Sequence, residues 1–183
     1  MKPNIFNLLR KIGLVFSIFP KNLRMFFYEI FSWSESKLFI AIRYMIVSSV
    51  CKSIGDNVYI GKFVTLKNLN DIVIGNNVSI HNYCYIDGIG KISIGDNVSI
   101  AHNSTILSSS HRWDYIDIPI KYNEIVFKPV IIHNDVWIGA GVRILYGTEL
   151  KSRSIVAANA VVNKDVANNT IVGGVPIKIL KEI

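Results

Sequence analysis

Along most of this chain an aliphatic residue returns every six positions, and a unit that short leaves few folds open. The series runs Ile54, Ile60, Leu66, then Ile74, Ile80, Ile86, then Ile94, Ile100, Ile106. Each period of twenty residues is three hexads plus two, and the segments Ile54-Gly-Asp-Asn-Val58, Ile74-Gly-Asn-Asn-Val78 and Ile94-Gly-Asp-Asn-Val98 repeat in step. Four positions after most of these aliphatics stands a small or β-branched residue: Val58, Val64, Val78, Cys84, Val98 and Ser104. The series resumes at Ile132, Ile138, Ile144, Leu150, Val156 and Val162, with Val136, Val142, Thr148, Ser154, Ala160 and Val166 following at the same offset. Here three hexads fill eighteen residues, without the extra two.

Six residues are too few for a helix and its return, but they suit one short strand and a corner. Three such units close a triangular coil, and stacked coils make a solenoid. The predicted fold is therefore mainly β, with a core column of Ile and Val. Gly55, Gly75, Gly95 and Gly139 are expected where the backbone turns. Each buried aliphatic contributes roughly 1.5–3 kcal/mol, so a polar residue at Ile94 or Ile138 should be badly tolerated.

The repeat is interrupted once, across residues 107–131, by a segment that includes Leu107-Ser-Ser-Ser-His-Arg-Trp-Asp-Tyr115. It must leave the solenoid wall. A coil closes without it, so the insertion points to function, and it carries His111. At the other end, Val172-Gly-Gly-Val-Pro-Ile177 breaks the hexad, and Lys178 to Ile183 reads as a short tail.

Residues 1–52 lack the hexad and read as helical, with Leu8, Leu9, Ile12, Val15, Phe16 and Phe19 as apolar positions. They hold eight cations (Lys2, Arg10, Lys11, Lys21, Arg24, Lys37, Arg43, Lys52) against Glu29 and Glu35, whereas the rest of the chain is nearly balanced. The net charge of +7 thus belongs to the head and does not mark a nucleic-acid surface. The head is expected to cap the first coil; the alternative is a membrane-surface segment within residues 1–50, since Lys and Arg flank Phe and Leu. No window reaches the roughly 20 apolar residues of a spanning helix, and no cleavage site follows Ile12 to Phe19. The expected location is cytoplasmic, with the inner face of the membrane as the variant. Cys51 and Cys84 have no metal-ligand spacing and read as free thiols.

Taken together, the hexads, the histidine-bearing insertion, Val136-Trp-Ile-Gly-Ala140 and Gly173-Gly-Val-Pro176 resemble the left-handed β-helix hexapeptide-repeat acyltransferases. Galactoside, maltose, xenobiotic and surface-polysaccharide O-acetyltransferases belong to that group, and the resemblance covers residues 53–183. Left-handedness is implied by the resemblance alone. It further implies a homotrimer, with acetyl-CoA as co-substrate in the cleft between subunits and no metal. In that scheme His111 takes the place of the catalytic base, in direct transfer of an acetyl group to a sugar hydroxyl. The resemblance puts Ala140, Ala158, Asn163 and Lys164 where the family contacts CoA, with Trp137 beside the cleft and Lys178 and Lys181 toward the CoA phosphates. On the acceptor side the family's asparagine falls on His81, with Asn82 beside it. The acidic acceptor ligand has no direct counterpart, although Asp87 lies close.

Three rivals stay open. A metal enzyme like the γ-class carbonic anhydrases would use His81 and His102, but zinc needs three such ligands and no close histidine pair exists. A non-catalytic scaffold would need neither His111 on a loop nor the tail lysines. N-acetylation of an amino sugar uses the same base and cleft.

Overall fold

The hexads fold as strands of two or three residues joined by tight corners, and three strands make one coil of a parallel β-solenoid in this computed structural model, which describes residues 5–183. Residues 1–4, with Lys2, lie outside the described residues. The first wall stacks Ser53–Ile54, Ile72–Ile74, Ile92–Ile94, Val130–Ile132 and Glu149–Leu150. The second stacks Tyr59–Ile60, Ser79–Ile80, Ser99–Ile100, Trp137–Ile138, Ile155–Val156 and Thr170–Gly173. The third stacks Thr65–Lys67, Tyr85–Asp87, Thr105–Leu107, Arg143–Ile144 and Val161–Val162. The change of period is visible in the register: Ile74 pairs with Ile94, Ile94 with Ile132 across the insertion, and Ile132 with Leu150.

Every inward aliphatic of the series is buried except Ile54, which is half-buried in the first coil. All twelve residues at the fourth position after them are buried too, Cys84, Ser104, Thr148 and Ser154 included. Two of the polar ones find partners in the corners: Ser104 Oγ donates to the Gly139 carbonyl at 3.0 Å and Thr148 Oγ1 to the Leu145 carbonyl at 2.8 Å, whereas Ser154 Oγ has no partner among the described residues.

The corners correct the expectation for the glycines. The left-handed backbone falls two residues later, at Asn57, Asn77, Asn97 and Asp135 on the first corner and at Phe63, Tyr83, Asn103, Gly141 and Asn159 on the second. Asparagine tolerates that conformation better than other non-glycine residues, which accounts for its place in the motif. Gly75 and Gly95 are required for a different reason. A Cβ on Gly75 would lie 2.5 Å from Asp96 Oδ1 and 2.6 Å from the Gly95 carbonyl carbon, because the next coil's side chain crosses that space. That side chain accepts a corner N–H that would otherwise lack a partner. Asn76 N donates to Asp96 Oδ1 at 2.6 Å, and Asp96 N to Asn134 Oδ1 at 2.8 Å. The motif Ile-Gly-Asp-Asn-Val is thus a core residue, a clearance, a cap for the preceding coil, a left-handed turn and a second core residue.

A solenoid's first coil presents carbonyls with no preceding coil to pair them. Three helices cover it: α1 (Ile5–Phe16), α2 (Lys21–Ile30) and α3 (Lys37–Val50). From α3, Arg43 Nε donates to the Ile60 carbonyl at 2.9 Å and Tyr44 Oη to the Gly55 carbonyl at 2.8 Å. From α2, Tyr28 Oη donates to the Val64 carbonyl at 2.7 Å. Tyr28, Tyr44, Ile46 and Val47 join the Ile and Val column in one continuous core. In α1 the packed side is Phe6, Leu9, Gly13 and Phe16, while Leu8, Ile12 and Val15 of the apolar set face outward.

At the far end, the segment read as a short tail is a strand. Lys178–Glu182 runs antiparallel to Thr170–Gly173 and extends the second wall. The insertion is also shorter than its sequence limits, since Leu107 still belongs to the third wall and Val130–Ile132 already lies in the first.

Candidate active site

The insertion leaves the third corner as an antiparallel hairpin, Ser109–His111 paired with Ile125–Phe127. Its base is fixed by Ser108, which is buried: Oγ donates to the Asp87 carbonyl at 2.7 Å and accepts from Gly90 N at 2.8 Å, while its carbonyl accepts from Lys128 N at 3.0 Å. Strand alternation then divides the hairpin into two faces. Ser109, His111, Ile125 and Phe127 share one, with the last three exposed; Ser110, Arg112, Val126 and Lys128 share the other.

The second face closes a cavity of about 340 Å³ lined by Arg112, Trp113, Asp114, Val126, Lys128 and Tyr146. Arg112 is ion-paired with Asp114 and Glu124 and lies 4.6 Å over the Tyr115 ring. Its hydrogen bond with Asp114 holds that carboxyl below its ordinary value. These residues were not foreseen; the signal available was the strand alternation around His111, which sets Arg112 and Val126 on a common side. No hydrogen bond of the His111 ring is found among the described residues, so the imidazole is open to groups from outside the chain.

The remaining candidates are spread over the solenoid. Asn82, His102, Ala140 and Ala158 form one column on the second corner, linked by Asn103 N to the Asn82 carbonyl at 3.1 Å, Gly141 N to the His102 carbonyl at 3.0 Å and Asn159 N to the Ala140 carbonyl at 2.8 Å. Its later half carries almost no side chain. Gly139 has no room for a Cβ, which would sit 2.6 Å from Ala158 N. His81 is exposed beside this column, its ring 5.7 Å from that of Tyr59. Asn82 is committed at both ends, accepting from Lys62 N at 2.9 Å and donating to Glu35 Oε1 at 2.6 Å.

Asp87, Asn163 and Lys164 stand at the third corner with the hairpin. Asp87 Oδ1 accepts from Asn68 Nδ2 at 2.7 Å and from Ile89 N at 3.2 Å, bonds that shape this corner. Trp137 faces outward on the second wall, against a cavity of about 430 Å³ lined by Asn97, Ser99, Asp135, Arg153, Ile155 and Ile183. Lys178 and Lys181 are exposed on the last strand of that wall. The larger cavity is therefore at Trp137, away from the hairpin. One chain sets the candidates on two corners and a wall without gathering them in a single pocket.

Of the other titratable groups, His133 Nε2 lies 2.6 Å from Glu149 Oε1. Burial pushes both thiols up, Cys51 and Cys84 each to about 11, which leaves little nucleophilic thiolate near neutral pH. Among the described residues no three His, Cys, Asp or Glu side chains are grouped to hold a metal ion.

Comparison with known proteins finds the same repeat and the same solenoid. Residues 129–164 match the family described as bacterial transferase hexapeptide (six repeats). The whole chain resembles a hexapeptide-repeat acetyltransferase from Vibrio cholerae O1 biovar eltor solved with acetyl coenzyme A, at 28% identity and a TM-score of 0.78, covering 99% of this chain and 90% of that one. Over 81 residues it is 33% identical to a putative lipopolysaccharide biosynthesis O-acetyl transferase, WbbJ, of Escherichia coli, covering 44% of this chain and 41% of that protein. Over 55 residues it is 48% identical to the 2,3,4,5-tetrahydropyridine-2,6-dicarboxylate N-acetyltransferase of Staphylococcus aureus, covering 30% of this chain and 23% of that protein. The matches span less than half the length of these curated relatives. On its repeat, its solenoid and its structural neighbours, the chain is similar to the hexapeptide-repeat acetyltransferases.

Proposed function

We propose that the protein transfers an acetyl group from acetyl-CoA to a hydroxyl of a sugar, with surface polysaccharide as the acceptor class. The observation that carries this reading is the exposed His111, held on a rigid antiparallel hairpin, in a chain that follows an acetyl-CoA-bound acetyltransferase over nearly its whole length. Acetyl-CoA supplies an activated thioester acetyl group. His111 takes the proton of the acceptor hydroxyl as its oxygen bonds to the acetyl carbon, and the proton passes on to the departing thiol. Neither cysteine enters, because both are protonated and turned into the fold.

The donor side suits a slender chain with a polyanionic end. Gly139, Ala140 and Ala158 leave a bare corner along which a pantetheine arm can lie, and Lys164, Lys178 and Lys181 offer ammonium groups to phosphates. Trp137 and Asn163 flank that path. On the acceptor side, His81 is the group free to meet the sugar, while Asn82 and Asp87 shape the wall. Because one chain leaves these parts apart, the working unit is a homotrimer in which a hairpin serves the neighbouring solenoid. The proposed location is the cytoplasm.

A second reading, acetylation of an amine, is favoured by the identity shared with the Staphylococcus aureus N-acetyltransferase. Incubation with labelled acetyl-CoA and a panel of neutral and amino sugars, followed by mild alkali, tests both. Alkali-labile label on a glycan supports O-transfer, and alkali-stable label supports N-transfer. Absence of transfer to every acceptor, with intact CoA binding, would count against both.

A further inference from the structure

The helical head covers the first coil with one side and leaves the other apolar. On α1 the outward residues include Ile5, Leu8, Ile12 and Val15, spaced to lie along one stripe. On α2 they include Leu23, Phe26 and Ile30, on the side away from Met25 and Tyr28, which face the fold. The turn between the helices is apolar as well: Ile18 is 79% exposed and Phe19 stands edge-on to Phe27. Turns at the surface of a soluble protein are ordinarily polar, and apolar side chains at the surface ordinarily occur singly. Here ten large apolar residues between Ile5 and Ile30 are exposed.

The charge around them is mainly positive, with the exposed Glu29 near the end of α2 as the acidic exception. Residues 1–28 contain no Asp or Glu. Of the described cations in that stretch, Arg10 is paired with Asp56 and Arg24 is held by the Ser49 carbonyl, so both are tied to the fold. Lys11 is exposed, and Lys21 meets only the neutral Asn70, at 2.6 Å. A second copy of this face would oppose lysine to lysine, whereas an anionic sheet with an apolar interior matches both its charge and its grease.

We propose that the outer face of α1, the Ser17–Pro20 turn and α2 is a docking surface for an anionic lipid bilayer. The protein lies on the membrane by Ile18, Phe26 and their neighbours, with Lys11 and Lys21 at the headgroups. No helix among the described residues is long and apolar enough to cross it. Docking at the capped end leaves the His111 hairpin, which rises from a later coil, clear of the lipid-facing helices. This inference does not depend on the acetyl-transfer reading.

The test is flotation of the full-length protein with vesicles of phosphatidylglycerol and phosphatidylethanolamine, against vesicles of phosphatidylcholine. Flotation is expected with the anionic vesicles, weakened by high salt. The double variant Ile18→Asp, Phe26→Asp should lose at least about tenfold in partitioning while keeping its melting curve, since both side chains are exposed. Lys11→Glu with Lys21→Glu leaves the apolar residues in place but reverses both charges, and should abolish the preference for anionic vesicles, which keeps the test decisive if the first variant folds poorly. Failure to float with anionic vesicles, or equal flotation with phosphatidylcholine, would overturn the proposal. So would a higher oligomer that Ile18→Asp, Phe26→Asp dissociates, formed without any binding to vesicles.

Discussion

Arg43 donates from Nε to the backbone carbonyl of Ile60 at 2.9 Å, from a position with no solvent exposure. Its Nη1 donates to the carbonyls of Phe31 and Ser34 at 2.8 and 2.7 Å. One side chain thus ties α3, the α2–α3 loop and the open end of the solenoid. Burial lowers its pKa from the ordinary arginine value, the mark of a cation that is costly to desolvate.

The substitution Arg43→Met should therefore destabilise through the carbonyls it abandons. Three bonds are lost, each buried acceptor costs about 1–3 kcal/mol, and removal of a desolvated cation offsets part of that. A net loss of about 2–4 kcal/mol is expected. Urea unfolding at fixed protein concentration measures it. An unchanged midpoint would mean that the cap and solenoid hold together by apolar contact alone.

The corners give a sharper contrast. Asn103 is left-handed, with φ of 59°, and exposed. Asn103→Gly should be nearly neutral, and Asn103→Val should cost about 1–2 kcal/mol or more, because a branched Cβ is strained in that region. Equal stability of the two variants would show that the corner relaxes to another conformation.

How much of this was readable beforehand depends on which residues carry the information. The inward positions were legible because a six-residue spacing maps directly onto a wall and corner, and Ile60, Ile80, Ile100 and Ile138 all point inward. The left-handed corner was not. Its position is filled by Asn77 and Asn97 but also by Phe63, Tyr83 and Arg153, so no residue type marks it, and the clearance at Gly75 exists only because Asp96 of the next coil occupies the space. Nor was the buried face of α1 legible, since Leu9 and Phe16 face the fold while Leu8 and Val15 face out. Of the site, His111 stood out by its place in the interruption. The two-faced hairpin did not, because its pairing of His111 with Ile125 joins residues separated by a stretch without pattern.

Alkaline pH should expose the buried thiols. Burial raises Cys51 and Cys84 to about 11, above the ordinary cysteine value. A raised native pKa means the native state holds its proton more tightly, so the associated stability is full below the unfolded pKa and is lost as pH rises through the native one. The unfolding midpoint should therefore fall between about pH 9 and 11, a window that the raised Tyr44 and Tyr59 reinforce at its upper end. Cys84→Ala should flatten part of that slope. Iodoacetamide at neutral pH should leave native activity unchanged, and rapid alkylation with loss of turnover would reinstate a thiol in the mechanism.

His111 separates a catalytic from a structural role most directly. Its side chain is exposed on a hairpin whose base is anchored by Ser108, so replacing it removes no core contact, and His111→Ala should melt as the native protein does. If it is the general base, turnover should fall by about 10²–10⁴, while CoA affinity stays within about twofold. The wall histidines provide the control. His133 is engaged with Glu149, and His102 lies over Ala140 on the second corner, so alanine at either should leave a rate within about an order of magnitude of native. His81→Ala should act on the acceptor Michaelis constant more than on the maximal rate, if the second corner where it is exposed, away from the hairpin, meets the sugar as proposed. Measured with a sugar acceptor found in the labelling assay, near-normal turnover in His111→Ala would remove the hairpin from the chemistry. Collapse of turnover in His81→Ala or His102→Ala instead would move the base to the second corner, and the substrate path would have to be redrawn along that wall.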